Sequence, residues 1–378
     1  MSSALNSHQT FKYKTKIIIL MDIEERLSLI KHVGEEIVTE EELKELLLKN
    51  KNPIAYDGFE PSGNMHIAQG ILRAINVNKM IKAGVKFKIL VADWFAWMNN
   101  KLGGDLTQIR LTGEYYIEMW KACGMDTKGV EFIWSKDLVK QEGHWKTTID
   151  IARISTVQRI LRTSQIMGRK STETLSAAQV IYPCMQAADI FHLKCNICQL
   201  GMDQRKVNVL AREVGPKLGF WKPVVVSHHM ILGLSEPKTA SREPDDRLLD
   251  LKMSKSKPET AIFMNDSEEE IKRKINKAYC PEGITEENPI LEYNRYIIFE
   301  KFKEVKVERP EKFGGNIEFA DYNEMEKSFK EKKLHPMDLK KSTSLYLNQI
   351  IGPVREKMEK SREAKKLSEE ISRFRVTR

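Results

Sequence analysis

Two short stretches, far apart in the chain, carry residue types suited to phosphate. The first is Pro61-Ser62-Gly63-Asn64-Met65-His66-Ile67-Ala68-Gln69, preceded by Tyr56-Asp57-Gly58-Phe59-Glu60. Glycines let a backbone approach a ligand closely, and the N-terminus of a following helix favours anions. His66 adds a side-chain donor. Alone, this stretch is equally an ordinary strand-to-helix turn. The second is Lys252-Met253-Ser254-Lys255-Ser256. Its ammonium groups and hydroxyls suit a polyphosphate, and they suit solvated surface as well. A third group, Tyr182, Gln186 and Asp189, is spaced four and three residues apart, so its members fall on neighbouring turns of one helix face. They interrupt an otherwise apolar pattern (Ile181, Met185, Ala188, Ile190), either as a pocket lining or as satisfied core groups. Cys195-Asn196-Ile197-Cys198 has no second pair at zinc-ligand spacing. It reads as buried strand cysteines, and no resident metal is expected.

The elements that must hold these groups follow from periodicity. Residues 1–20 read as an N-terminal extension, expected to be disordered. Residues 21–49 read as two amphipathic helices, the second opened by the capping pattern Thr39-Glu40-Glu41-Glu42. Ile54-Ala55 leads a strand into the first glycine-bearing loop, and residues 67–81 continue as a helix. Residues 85–92 form a buried-type strand, 106–123 a helix with Gly124 as its C-cap, and 130–134 another strand. Strand, helix, strand, helix, strand argues an α/β fold with a doubly wound, parallel, Rossmann-like sheet. Ligands bind such sheets at the carboxyl ends of the strands, near the switch point. Both Gly58–Gly63 and Gly201-Met202-Asp203-Gln204-Arg205-Lys206 stand at such ends.

Residues 143–176 read as a basic helical insertion, with Arg153, Arg159, Arg162, Arg169 and Lys170. It is either a solvated face or a nucleic-acid or dimer surface. From about residue 265 the pattern changes to lysine-rich helices without strands of the earlier type. The sheet unit is therefore set at 21–264 and a helical domain at 265–378.

The totals bound the class. The chain has 378 residues, a formal net charge of +9 and 41% hydrophobic content, which suits a globular protein with a real core. The basic balance fits a polyanionic partner or simple solubility. No apolar run approaches the roughly 20 residues that span a bilayer. Five cysteines in this length do not make a disulfide framework, and a reducing compartment is expected.

Taken together, the two loops resemble a known pair. Residues 61–69 are similar to the HIGH motif of class I aminoacyl-tRNA synthetases, and Lys252-Met-Ser-Lys-Ser256 matches the KMSKS motif letter for letter. From about Met21 onward the chain resembles the archaeal and eukaryotic cytosolic tyrosyl-tRNA synthetases. The resemblance includes Tyr182-Pro-Cys-Met-Gln186-Ala-Ala-Asp189 and Gly201-Met-Asp-Gln204-Arg-Lys, and it extends to Phe313-Gly-Gly and His335-Pro-Met-Asp338. It implies a cytoplasmic, homodimeric tyrosine–tRNA ligase that takes L-tyrosine, ATP with Mg²⁺ and tRNA(Tyr), without a tightly bound cofactor. Tyr56 and Asp189 would bind the substrate phenol, and Tyr182, Gln186 and Gln204 its ammonium. His66, Lys252 and Lys255 would be catalytic, with Lys255 foremost. Gly58, Gly63, His66, Gln69, Met230, Ile231, Leu232 and Lys255 would bind ATP. Arg205 would meet the tRNA acceptor end, while Phe313, His335 and Asp338 would lie in an anticodon-binding segment. Ile67-Ala68-Gln69 departs from the motif: Gln69 donates a hydrogen bond where the family pattern has histidine. Residues 235–250, before the second loop, are either a lid or a solvated loop. Tryptophanyl-tRNA synthetase and a non-catalytic RNA-binding paralogue are the rivals. The Tyr56/Asp189 pair argues against the first, and the intact Lys252–Ser256 loop argues against the second.

Overall fold

The computed structural model describes residues 21–168, 174–237, 251, 253, 255 and 257–375. The expected disordered extension (1–20), Arg169 and Lys170 of the insertion, residues 238–250, and Lys252, Ser254 and Ser256 lie outside the described residues.

Helix α1 (Ile23–Lys31) opens the described chain, capped by Asp22, whose side chain accepts from the Glu25 amide. It leads to strand β1 (Glu36–Val38) and then α2 (Glu40–Lys49). The Thr39 side chain accepts from the Glu42 amide, as its capping pattern implied. Strand β1 was not expected from the sequence. Its three residues are too few to display an alternating pattern, and they become a strand only by pairing antiparallel with a distant one.

Strand β2 (Ile54–Phe59) enters the first loop, and a π-helical turn (Ala68–Leu72) then leads into α3 (Arg73–Lys82). β3 (Lys86–Val91) is followed by α4 (Asp93–Met98) and α5 (Leu106–Ala122), and then β4 (Val130–Trp134). Asp105 caps α5 by accepting from the Thr107 and Gln108 amides. Gly124, at φ 83°, ends it in the left-handed region.

The insertion is shorter-jointed than its basic pattern suggested. It comprises α6 (His144–Ile154), α7 (Val157–Thr163) and a 3₁₀ turn, Ser164–Met167. α8 (Ala177–His192) starts five residues earlier than Tyr182, because Ser176 and Gln179 form a reciprocal capping box. It is apolar almost all round and buried accordingly. β5 (Ile197–Cys198), α9 (Arg205–Val214) and β6 (Val224–Ser227) complete the sheet.

The strand order is β1-β6-β5-β2-β3-β4, parallel except for β1. The chain winds outward from β2 through β3 to β4, then returns to place β5 on the other side of β2. That reversal opens a crevice between the carboxyl ends of β2 and β5. The central strands β2 and β3 are buried on both faces (Ala55, Tyr56, Phe87, Ile89), as parallel sheets require.

The C-terminal region contains α10 (Glu268–Lys277), an antiparallel ribbon of β7 (Val305–Val307) and β8 (Ile317–Phe319), then α11 (Pro336–Lys360) and α12 (Arg362–Ile371). The ribbon adds a β element to what the sequence suggested was purely helical. Its strands have three residues each and are held by the α11 side chains Ser342 and Tyr346, which bond to Lys306. One apolar core runs from Leu27 through α5 to Ile371. Lys357 on α11 reaches the Ala122 carbonyl at 3.3 Å.

Candidate active site in the sheet crevice

A cavity of about 330 Å³ occupies the crevice, and its lining joins residues from β2, α3, α8, the turn after β5 and the segments after β6. Such placement follows from topology. β2 delivers Tyr56 to one wall, α8 delivers Tyr182, Gln186 and Asp189 to the facing wall, and the turn after β5 delivers Gln204.

At one end two polar atoms are buried without a partner among the described residues: the Tyr56 hydroxyl and Asp189 Oδ2. The other Asp189 oxygen, Oδ1, accepts a 2.7 Å bond from His144 Nε2, and both side chains are fully buried. Burial pushes the Asp189 carboxyl up to about 6, with His144 holding it lower than burial alone would. A hydroxyl and a carboxylate oxygen facing one cavity form the complement of a phenol, which has one proton to donate and lone pairs to accept with.

Next along the cavity, Gln186 Nε2 donates to Gln204 Oε1 at 3.1 Å, and Gln204 Nε2 to the Ile166 carbonyl at 3.0 Å. This leaves Gln186 Oε1 buried and without a partner among the described residues. The Tyr182 hydroxyl donates to Glu60 Oε1 at 2.8 Å, which aims its lone pairs at whatever lies beside it. Glu60 is in turn held by Asn99 at 3.1 Å and by Lys101 at 3.8 Å. The result is an acceptor-rich, acidic recess suited to an ammonium. Glu60 stood in the quoted stretch without a role, because its partners lie on other elements.

At the other end are His66, Gln69, Met230, Ile231 and Lys255. The two loops meet here. The Ile67 amide donates to the Ile262 carbonyl and the Met264 amide to the Met65 carbonyl, both at 2.9 Å, so the chain following the second loop clamps the first. Lys255 Nζ donates to Ser62 Oγ at 3.2 Å and to the Tyr116 hydroxyl, and it lies 4.8 Å from the Tyr116 ring centroid. Burial pulls the Lys255 ammonium down to about 7, with Glu60 opposing. Gln69 Oε1 is buried without a partner among the described residues, and its backbone carbonyl accepts from Trp120 Nε1 at 2.8 Å. Gly63 has φ 108°, a conformation that side chains disfavour. Gly58 lines the cavity at the end of β2.

One expected cavity residue falls elsewhere. Leu232 is not part of the lining. Its amide is committed to Glu292 Oε2 at 2.8 Å, so the chain has already turned away after Ile231. Arg205, expected to meet the tRNA acceptor end, makes a two-point contact with Glu36 on β1, at 2.5 and 3.0 Å. That acid lies 169 residues earlier, and neither local pattern nor charge count signals the pairing.

In the wall of the cavity lies a buried network without a sequence signal. Arg73 Nη1 bonds Asp57 Oδ2 at 3.0 Å and lies 3.2 Å from His228 Nδ1, while Nη2 bonds Gln199. Burial pushes Asp57 up to about 7 despite Arg73, and holds His228 well below the usual imidazole range. The network ties β2, α3, β5 and β6 together at the crevice. All five cysteines are buried and free. Among the described residues no cluster of metal-ligand type is present.

In the C-terminal region Phe313 is 60% exposed at the tip between β7 and β8. Arg309 bonds the Gly315 carbonyl and the Lys333 carbonyl, each at 2.9 Å, and so ties that tip to the segment entering His335. The His335 side chain caps α11, and Asp338 lies in its first turn.

Residues 48–352 match the family described as tRNA synthetases class I (W and Y). The chain is 51% identical over 360 residues to tyrosine–tRNA ligase 1, cytoplasmic, of Arabidopsis thaliana, covering 94% of this chain and 90% of that one. The chain belongs to the tyrosyl-tRNA synthetases. Its activity is tyrosine–tRNA ligation driven by ATP. The tyrosyl-tRNA synthetase of Pyrococcus horikoshii, solved with L-tyrosine, superposes with a TM-score of 0.85 at 39% identity, covering 93% of this chain and all of that one. That of Leishmania major, solved with tyrosinol, gives 0.84 at 41% identity. There the match covers 94% of this chain and 61% of the other. The expected family and fold hold.

Proposed function

We propose that the crevice selects L-tyrosine by its phenol and activates it on ATP. The observation that carries this reading is the pair of buried, unpartnered atoms, Tyr56 OH and Asp189 Oδ2. Bound tyrosine donates its phenolic proton to Asp189 and accepts from Tyr56. Phenylalanine leaves both buried groups unsatisfied, the general rule for hydroxyl-selecting sites, of which tyrosyl-tRNA synthetase is itself the standard example. Tyr182, Gln186 and Gln204 hold the α-ammonium, with Glu60 behind Tyr182.

The tyrosine carboxylate oxygen then attacks the α-phosphorus of ATP. A new P–O bond forms as the bond to pyrophosphate breaks, giving tyrosyl-adenylate. Positioning and charge stabilisation dominate such a step. His66, Lys252 and Lys255 neutralise the charge developing on the α-phosphoryl and pyrophosphate oxygens. Gly58, Gly63 and Gln69 let the nucleotide approach, and Met230 and Ile231 flank adenine. Mg²⁺ arrives as part of the ATP substrate, bound mainly through phosphate oxygens and water, which suits a cavity that offers no three-ligand cluster among the described residues. A ribose hydroxyl of tRNA(Tyr) next attacks the acyl carbon and releases AMP.

The division proposed is a catalytic unit at 21–264, its insertion near 143–176, and an anticodon-binding unit at 265–378. Phe313 stacks on a splayed anticodon base while Asp338 and His335 read its edge, the usual mode of single-stranded RNA recognition. The protein acts in the cytoplasm, as the name of the Arabidopsis relative states for that protein. No helix among the described residues is long and apolar enough to cross a membrane. A homodimer is supported by apolar side chains exposed on α4, α6 and α7: Trp97, Trp145, Ile149, Val157 and Leu161.

Pyrophosphate exchange with tyrosine, phenylalanine and tryptophan tests the reading. Wild type should exchange with tyrosine alone, and Tyr56→Phe should narrow the tyrosine/phenylalanine ratio. Tryptophan-dependent exchange without tyrosine-dependent exchange would refute it. Ile149→Glu should shift sedimentation from dimer to monomer.

A further inference from the structure

The first helix of the insertion does more than cover the catalytic unit. His144 lies at the start of α6, and its side chain is fully buried. Nε2 donates to Asp189 Oδ1 at 2.7 Å across 45 residues of sequence. The ring is edge-on to His192, centroids 5.0 Å apart, and edge-on to Trp145 at 6.1 Å. His192 is itself anchored to Thr147 at 3.0 Å. This stack fixes the ring plane, and the hydrogen bond fixes the carboxylate. With Oδ1 committed, only Oδ2 remains for a ligand.

We propose that His144 is a positioning residue for amino-acid selection: it orients Asp189 and keeps it a carboxylate, so that Oδ2 alone accepts the substrate hydroxyl. The inference rests on the phenol-binding role given to Asp189 above. His144 touches no reacting atom; it acts through Asp189.

The chemistry follows from charge. A carboxylate deep in an apolar wall favours its protonated form, and a protonated Asp189 competes with the substrate for the role of donor. One charge-assisted hydrogen bond from an imidazole opposes this. The other titratable groups around Asp189 are Tyr56 on β2, Tyr182 on α8 and Cys195 beyond α8. Burial raises all three, so they stay protonated near neutral pH. His192 is lowered by burial and by His144. Glu60 faces Tyr182.

The test compares His144→Leu, His144→Gln and His144→Asn with wild type in tyrosine-dependent pyrophosphate exchange across pH 5.5–8.5, with thermal melts as a folding check. A glutamine places its amide donor near the Nε2 position, whereas an asparagine places it near Nδ1. His144→Leu should raise the KM for tyrosine about tenfold, the worth of one hydrogen bond to a charged group. It should leave kcat and the KM for ATP nearly unchanged, narrow the tyrosine/phenylalanine ratio, and move the acid limb of kcat/KM to higher pH. His144→Gln should restore most of this and His144→Asn little. An unchanged KM and acid limb in His144→Leu overturns the proposal, as does a fall in kcat alone. Should His144→Leu not fold, equal kinetics for the Gln and Asn variants overturn it. Asp189→Asn separates the two readings. Lost discrimination there with none in His144→Leu removes the inference alone, whereas unchanged discrimination in Asp189→Asn removes the phenol-site reading and the inference with it.

Discussion

Lys255 Nζ lies 3.2 Å from Ser62 Oγ, although 193 residues separate the two in the chain. The contact joins the second phosphate-type loop to the first across the nucleotide end of the cavity. It also shows how the lysine is held: against a hydroxyl and a tyrosine ring.

Lys255→Ala should lower pyrophosphate exchange by about 10²–10³, the usual loss for one charge-stabilising donor. Filter-binding affinity for tRNA should change little. A lysine held down to about 7 favours the folded state when uncharged. Its contribution to folding is therefore present at high pH and lost as pH falls through about 7. Lys255→Met should accordingly raise the melting temperature at pH 6 more than at pH 9.

Asp189 titrates in the opposite sense. Its folded-state value near 6 stands above the ordinary carboxyl range. The protonated form favours folding, so its contribution is present at low pH and lost as pH rises through about 6. The ionised form is the one that accepts the phenol proton. Hence kcat/KM for tyrosine should fall about tenfold per pH unit below about pH 6. Asp189→Asn should melt higher than wild type at pH 8 while discriminating poorly against phenylalanine, as denaturation scans and exchange assays would reveal.

Arg73→Ala leaves Asp57 and Gln199 buried without their partner. Removing one member of a buried pair costs about 3–5 kcal/mol, partly relieved here because Asp57, already near 7, can take up a proton. Urea denaturation at pH 8 should show the larger loss and at pH 5.5 the smaller. Equal losses at both values would contradict the assigned pairing.

Phe313→Ala should weaken tRNA binding by about 1–3 kcal/mol, the range for one base stacked on an aromatic ring. The ring is 60% exposed, so the melting temperature should hold. Asp338→Ala should likewise raise the KM for tRNA without affecting pyrophosphate exchange. Unaffected aminoacylation in both variants would remove the anticodon assignment.

Much of this was legible in one dimension. The strands at 86–91 and 130–134, the helix at 106–122 and its Gly124 cap are local matters of periodicity and backbone freedom. The spacing of Tyr182, Gln186 and Asp189 placed them on one face before any fold was known, because a helix fixes that relation by itself. The two phosphate-type loops were legible as residue types and, through their likeness to a known pair, as a nucleotide site.

What the sequence could not contain were relations set by packing. β1 is a strand only because β6 offers it an unpaired edge. The pairing of Arg205 with Glu36, and the place of Leu232 outside the cavity lining, are set by residues on other elements. The same holds for His144, read only as part of a basic insertion, and for Arg73, read only as one residue of the helix at 67–81. A hydrogen bond between residues 45 or 193 positions apart leaves no period in the chain. The sequence by itself determined which groups were available and which local elements would carry them. Only the tertiary structure decided which buried donors met which acceptors, and so which atoms, Tyr56 OH and Asp189 Oδ2, were left for the substrate.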